Sequence, residues 1–204
     1  MTNSFKGKAK RLDAWDFGRN AKLIGRNVGE DELRAVVTVE ASGSGFDAQG
    51  RLKMLFEPHR FYRELGERKR ELAVTQGLAY ERWGERPYPA DSYPRLLAAI
   101  KIDRPGALRS ASWGLAQIMG SNAKSAGYAT AEDMISDFLD DEEKHLTAMV
   151  RFIISEALDD ELRNHDWRGF ARGYNGPGYA KNGYHTKLAA AFKAWQARPD
   201  AVAP

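Results

Sequence analysis

Glu40 closes the apolar segment LRAVVTVE and is followed at once by the small-residue run ASGSGF. The spacing predicts a helix from near Asp31 to Glu40, with Leu33, Val36, Val37 and Glu40 on one side. The β-branched content of the stretch leaves a buried strand as the alternative. A carboxylate at a helix C-terminus lies by the negative end of the helix dipole. Where Val36, Val37 and Phe46 also shield it, desolvation acts in the same direction, and both keep the proton on. A carboxyl that holds its proton near neutral pH is what general-acid cleavage of a glycoside requires. The competing reading is a solvent-facing glutamate that merely ends a helix.

A second carboxylate would set the stereochemistry. An inverting glycosidase holds a base roughly 6.5–9.5 Å from the acid, whereas a retaining one holds a nucleophile at about 5–5.5 Å. Glu57, directly before Pro58, is the first candidate, and Asp47 is the second. Each has a plainer use. Glu57 can cap the helix that Pro58 opens, and Asp47 can shape a turn over residues 47–50.

Much other chemistry is excluded. The chain has no cysteine, which removes thiol nucleophiles, disulfides and thiolate metal sites. Its four histidines are scattered without a ligand-like pair, so no metal is expected. No serine lies in a G-x-S-x-G elbow. Residues 43–48, GSGFDA, fit the dinucleotide pattern G-x-G-x-x-A, but a turn and helices follow instead of β-α alternation. No cofactor is expected. The run RELGERKRE alternates in sign and reads as a solvated face, which argues against a nucleic-acid partner. With 31 Lys and Arg against 28 Asp and Glu, the net charge of +3 suits a polyanionic partner without choosing one.

Four separated stretches occur in a telling order: VEASGSGF at 39–46, FEPHRFY at 56–62, SWGLAQIMG at 112–120 and ARGYNGP at 171–177. Together they resemble the lysozyme-like superfamily of goose-type lysozymes and lytic transglycosylases. The closer likeness is to the N-acetylmuramidase domain of phage endolysins, and it covers about residues 13–196. The resemblance implies cleavage of the β-1,4 bond between N-acetylmuramic acid and N-acetylglucosamine in peptidoglycan glycan strands. It implies Glu40 as proton donor and Glu57, matching F-E-x-H, as the second carboxylate. Where the pattern sets a serine directly after the glutamate, this chain has Ala41 and then Ser42. Ser42, Asp47, Trp113, Gln117, Tyr174 and Asn175 are the expected substrate contacts. The amides of Gln117 and Asn175 both donate and accept, which suits N-acetyl and hydroxyl groups. Tyr174 can stack on a sugar or bond near Glu40, while Trp113 faces either a sugar or the core. Two alternatives share the motifs: a lytic transglycosylase that leaves 1,6-anhydro ends, and a non-catalytic wall-binding module.

The elements that must position these residues read as mainly α, an α+β lysozyme-like fold. Helices are expected over Ala14–Ile24, from Pro58, over Tyr93–Ile102, 105–111, 113–119, 131–140, 142–157, 166–172 and Tyr184–Gln196. One small β-hairpin is expected at 41–57, after the helix that ends in Glu40, and residues 66–91 read as an irregular lobe. A single domain over 13–196 would carry an arm, 1–12, and a tail, 197–204. The last helix sets Leu188, Phe192 and Trp195 along one side with Lys187 and Lys193 on others. It either docks on the core or makes a weak contact with an anionic membrane or outer membrane. The first residues lack the apolar stretch of a secretory signal. The expectation is therefore a monomer made in the host cytoplasm that acts on the wall, in the periplasm, after the membrane is permeabilised.

Overall fold

Asp13 starts the first helix as its sequence suggests. Its carboxylate accepts the backbone N–H groups of Trp15 and Asp16, the Asp16 side chain returns a bond to the Asp13 N–H, and Gly25 ends the helix with φ +98°. The computed structural model describes residues 5–198 apart from Arg26 and Ser42. Its helices are α1 (Ala14–Ile24), α2 (Glu30–Glu40), α3 (Pro58–Glu64), α4 (Glu67–Thr75), α5 (Tyr93–Ile102) and α6 (Arg104–Arg109). The second half adds α7 (Ala131–Phe138), α8 (Glu142–Ser155), α9 (Asp159–Arg163), α10 (Trp167–Asn175) and α11 (Tyr184–Gln196). The β-branched stretch before Glu40 is thus helical, with Leu33 and Val36 fully buried on one side and Ala35 on another.

Three short strands form one antiparallel sheet: β1 (Met54–Phe56), β2 (Ala111–Trp113) and β3 (Ile118–Met119), in that order. Met54 pairs with Trp113, Phe56 with Ala111, and Trp113 with Ile118. The expected turn at 47–50 is present, closed by the Asp47 N–H on the Arg51 carbonyl at 2.8 Å. Its arms meet at the Phe46–Leu52 bridge. The expected helix over 113–119 is corrected to a hairpin. Gly114 and Gln117 both take left-handed φ, +72° and +50°, which breaks a helix within one turn. The lobe at 66–91 is corrected in part, since α4 occupies its first third, and α9 was not anticipated.

The core is helix-centred. Leu146, Met149, Val150 and Ile153 of α8 are fully buried, while Ile154, expected in the same stripe, is 41% exposed. Asp141 caps α8 through the Glu143 N–H, and Thr130 caps α7 through that of Asp133. Helix α8 packs on α1 and α7, and α11 lies along α2. Among the described residues, no helix is long and apolar enough to cross a membrane.

Candidate active site

Two helix ends meet at Glu40. It is the last residue of α2, and Asn175, the last residue of α10, donates its Nδ2 to both carboxylate oxygens at 3.0 and 3.1 Å. Burial pushes the Glu40 carboxyl above the usual glutamate range. The Asn175 amide and the Lys187 ammonium act the other way without cancelling that rise. A partly buried acid with a fixed orientation and a raised pKa results.

Aromatic rings wall this acid. Tyr174 stacks on Phe170 at 5.4 Å and meets Phe152 edge-on at 5.7 Å. Burial, and then the charge of Glu40, push the Tyr174 phenol upward, so it remains a neutral O–H. Tyr184 of α11 is raised by the same two causes in the same order. Lys187, one turn on, lies 5.6 Å from the Tyr184 ring. Sequence reasoning missed Tyr184 and Lys187 as site residues. Their i, i+3 spacing was visible, but only the docking of α11 on α2 brings them to Glu40.

That docking settles the use of the last helix. Leu188 is fully buried and Phe192 is 7% exposed, packed against His165 at 4.3 Å and Trp167 at 5.2 Å. The Trp195 indole donates to Thr38 of α2 at 3.0 Å. The apolar side of α11 is thus packed against the rest of the chain.

The loop after Glu40 is held from outside its own segment. Ser42 lies outside the described residues. Glu142, at the start of α8, accepts the Ser44 hydroxyl and the Gly45 N–H, both at 2.7 Å, and the Leu12 N–H at 3.1 Å. Nearby, His145 is buried and its pKa is pushed down to about 4 by desolvation. The neutral ring accepts the Leu115 N–H at Nδ1, 3.1 Å, and donates from Nε2 to the Phe138 carbonyl, 2.7 Å. A Cβ on Gly45 would lie 2.3 Å from the His145 Nδ1, so the glycine is required by close packing. That explains the GSG signal better than phosphate binding does. Glu142 and His145 were not singled out from the sequence, because a buried polar pair on an amphipathic helix looks like its solvent side.

Trp113 is corrected to a core residue. It is fully buried, its indole donates to the Leu108 carbonyl at 3.0 Å, and no face is left for a sugar. Gln117 spends its amide locally: Oε1 accepts from Ser112 at 2.9 Å and Nε2 donates to the Gly114 carbonyl at 2.9 Å. It shapes the β2–β3 turn. Asp47 accepts the backbone N–H groups of Gln49 and Arg51 at 2.9 Å each and the Arg51 guanidinium at 2.7 Å. Burial opposes them, yet these bonds hold its carboxyl below the ordinary range, which is the turn-forming use.

Glu57 stands at the capping position of α3, but its carboxylate makes no capping bond. It accepts the Tyr88 hydroxyl in a short hydrogen bond, and His59 Nδ1 lies 3.2 Å from the same oxygen without hydrogen-bond geometry. Burial lowers the His59 pKa, so that ring is neutral near pH 7. None of these partners is shared with Glu40. Glu57 also lies four residues beyond Lys53, whose N–H bonds the Gly45 carbonyl at 2.7 Å.

The model for N-acetylmuramidase matches residues 30–196, from the first residue of α2 to the last of α11. No curated protein sequence matches. Among solved structures, the crystal structure of Burkholderia AP3 phage endolysin is similar to this chain with a TM-score of 0.83 and 34% identity. The match covers 93% of this chain and 73% of that one. The lysozyme-like expectation for the fold agrees with that likeness. Helix α2 with Glu40, the loop held by Glu142, and α10 with Asn175 all fall inside the matched span, and the chain belongs to the N-acetylmuramidase family of peptidoglycan-cleaving glycoside hydrolases.

Proposed function

We propose that the chain is an endolysin-type muramidase that hydrolyses the β-1,4 bond between N-acetylmuramic acid and N-acetylglucosamine, with Glu40 as proton donor. The observation that carries this is the half-buried Glu40, raised in pKa by burial and held at both oxygens by one amide. Protonated Glu40 gives its proton to the glycosidic oxygen as the bond to the anomeric carbon breaks. The leaving sugar departs as a neutral alcohol, and water adds to the oxocarbenium-like carbon. Glu40 is left as a carboxylate. Asn175 and Lys187 stabilise that charge, which keeps the raised pKa from making the acid too reluctant to release its proton.

We assign Glu57 to fastening the segment before α5, through Tyr88, rather than to orienting the water. Support comes from the bond itself: the Tyr88 hydroxyl already occupies one Glu57 oxygen, and His59 Nδ1 lies 3.2 Å from the same atom. The enzyme works as a monomer on glycan strands at the wall, in the periplasm. A net charge of +3 favours encounter with an anionic wall, as a rate effect that salt weakens.

Mass spectrometry of the muropeptides released from purified peptidoglycan tests the reaction. Reducing N-acetylmuramic acid ends are expected. Anhydro ends would mean transglycosylation, in which the sugar's 6-hydroxyl replaces water, and no release would leave a wall-binding module.

A further inference from the structure

A cleft of ≈ 520 Å³ opens beside the hairpin turn, lined among others by Asp47, Gln49, Arg51, Lys53, Asp91 and Tyr93. It is tied to the loop after Glu40 through main-chain bonds. The Lys53 N–H donates to the Gly45 carbonyl at 2.7 Å, and the Gly114 N–H donates to the Lys53 carbonyl at 2.9 Å. The cleft wall and the acid's own loop therefore share one rigid patch.

Its charges are already ordered. The Arg51 guanidinium bonds Asp47 at 2.7 Å and Asp91 at 3.2 Å, and lies 4.3 Å over the Tyr93 ring. Fixed side chains lose little entropy when a ligand arrives. The cleft offers no open aromatic face. Tyr93 is 6% exposed: Arg51 covers one face, Phe5 packs at 5.7 Å, and its hydroxyl donates to the Leu52 carbonyl. No open ring face is left there for a pyranose. Residues of both charge signs line the cleft instead, and Asp91 keeps a side chain that is 48% exposed.

While a stem is attached, the lactyl carboxyl of N-acetylmuramic acid is an amide, and the glycan itself is uncharged. The ionised groups of peptidoglycan sit on its peptide stems, which carry carboxylates and, in many walls, an ammonium group. We propose that this cleft binds the peptide stem of a muramic acid residue next to the cleaved bond, and so selects stem-bearing strands. The assignment rests on the muramidase reading above. Arg51 would take a stem carboxylate, and Asp91 would face the ammonium.

The test compares uncrosslinked, stem-bearing glycan strands with the same strands stripped by an N-acetylmuramoyl-L-alanine amidase and then amidated at the lactyl carboxyl that stripping exposes. The readout is kcat/KM from newly formed reducing ends. The wild-type enzyme is expected to favour stem-bearing strands by about tenfold or more, the equivalent of one good charged contact. Gln49→Trp fills the cleft from an exposed position whose own bond is only the backbone N–H to Asp47 at 2.9 Å. Asp91→Asn removes the charge that would face the ammonium. In both variants the ratio between the two substrates should fall toward one. A wild-type ratio near one, or a high ratio that neither variant changes, overturns the stem assignment while leaving the muramidase reading intact. Failure to cleave either substrate would overturn both.

Discussion

Asn175 spans both oxygens of Glu40 with a single amide nitrogen, at 3.0 and 3.1 Å, and so joins the ends of α10 and α2 at the acid. An N–H shared in this way favours the charged carboxylate, yet burial still keeps the pKa high. Orientation is therefore gained while the pKa stays above the ordinary glutamate range.

Glu40→Gln retains shape and an acceptor for Asn175 but has no proton to transfer. Turnover should fall by at least the 10²–10⁴-fold typical of general-acid catalysis. Stability should move the other way. A carboxyl whose folded pKa lies above its unfolded value is ionised more readily in the unfolded chain, so its contribution to stability is lost as pH rises through that range. Thermal unfolding of wild type and Glu40→Gln across pH should show the variant gaining relative stability above the glutamate range. A folded variant with near-normal turnover would remove Glu40 from the mechanism.

Lys187→Met gives a signed pH prediction. The ammonium favours the ionised form of Glu40 and lowers its pKa, so removing it raises that pKa further. Catalysis needs the protonated acid, hence the alkaline limb of the kcat/KM profile should move to higher pH. Lys187 is exposed and its loss should leave the melting temperature little changed. A limb that stays put, or moves down, would show that Lys187 does not act on the acid.

The local features were the legible ones. Asp13, Gly25, Thr130 and the apolar stripe of α8 act within a turn or two of sequence, so their types predict their elements. Glu40 and Asn175 were each singled out through motif order, Asn175 as a sugar contact; their bond to one another was not legible, since it joins helices distant in the chain. The sheet was half legible. The turn at 47–50 announces itself, but the pairing of β1 with β2 depends on three-residue strands more than fifty residues apart. Gly114 and Gln117 break a pattern that otherwise reads as helical, and a left-handed glutamine carries no composition signal. Glu142 hid because a first-turn acid is ordinary on any helix; only the fold turns it toward Ser44 and Gly45.

Glu57→Ala separates two uses of one carboxylate. If Glu57 fastens the segment before α5, its removal leaves the half-buried Tyr88 hydroxyl without its acceptor. Stability should drop by about 1–3 kcal/mol, the usual cost of an orphaned partner. Turnover measured well below the melting temperature should stay within a few-fold of wild type. A large loss of kcat at unchanged stability would instead return Glu57 to the water-orienting role.

Phe192→Ala asks how far the acid depends on the last helix. Phe192 is 7% exposed against His165 and Trp167, while Leu188 and Trp195 fix the same side of α11 to its surroundings. Truncating a buried aromatic costs roughly 3–5 kcal/mol, and calorimetry should register it. Because Tyr184 and Lys187 reach Glu40 from this helix, loosening it should also move the pH profile in the direction of Lys187→Met. The isolated α11 peptide should leave anionic vesicles intact at concentrations where a basic amphipathic control releases dye. An unchanged melting temperature for Phe192→Ala together with efficient dye release by the peptide would mean that the apolar side is not committed to the core. Helix α11 would then be an independent membrane-active segment, and Lys187 could not serve the acid from a fixed position.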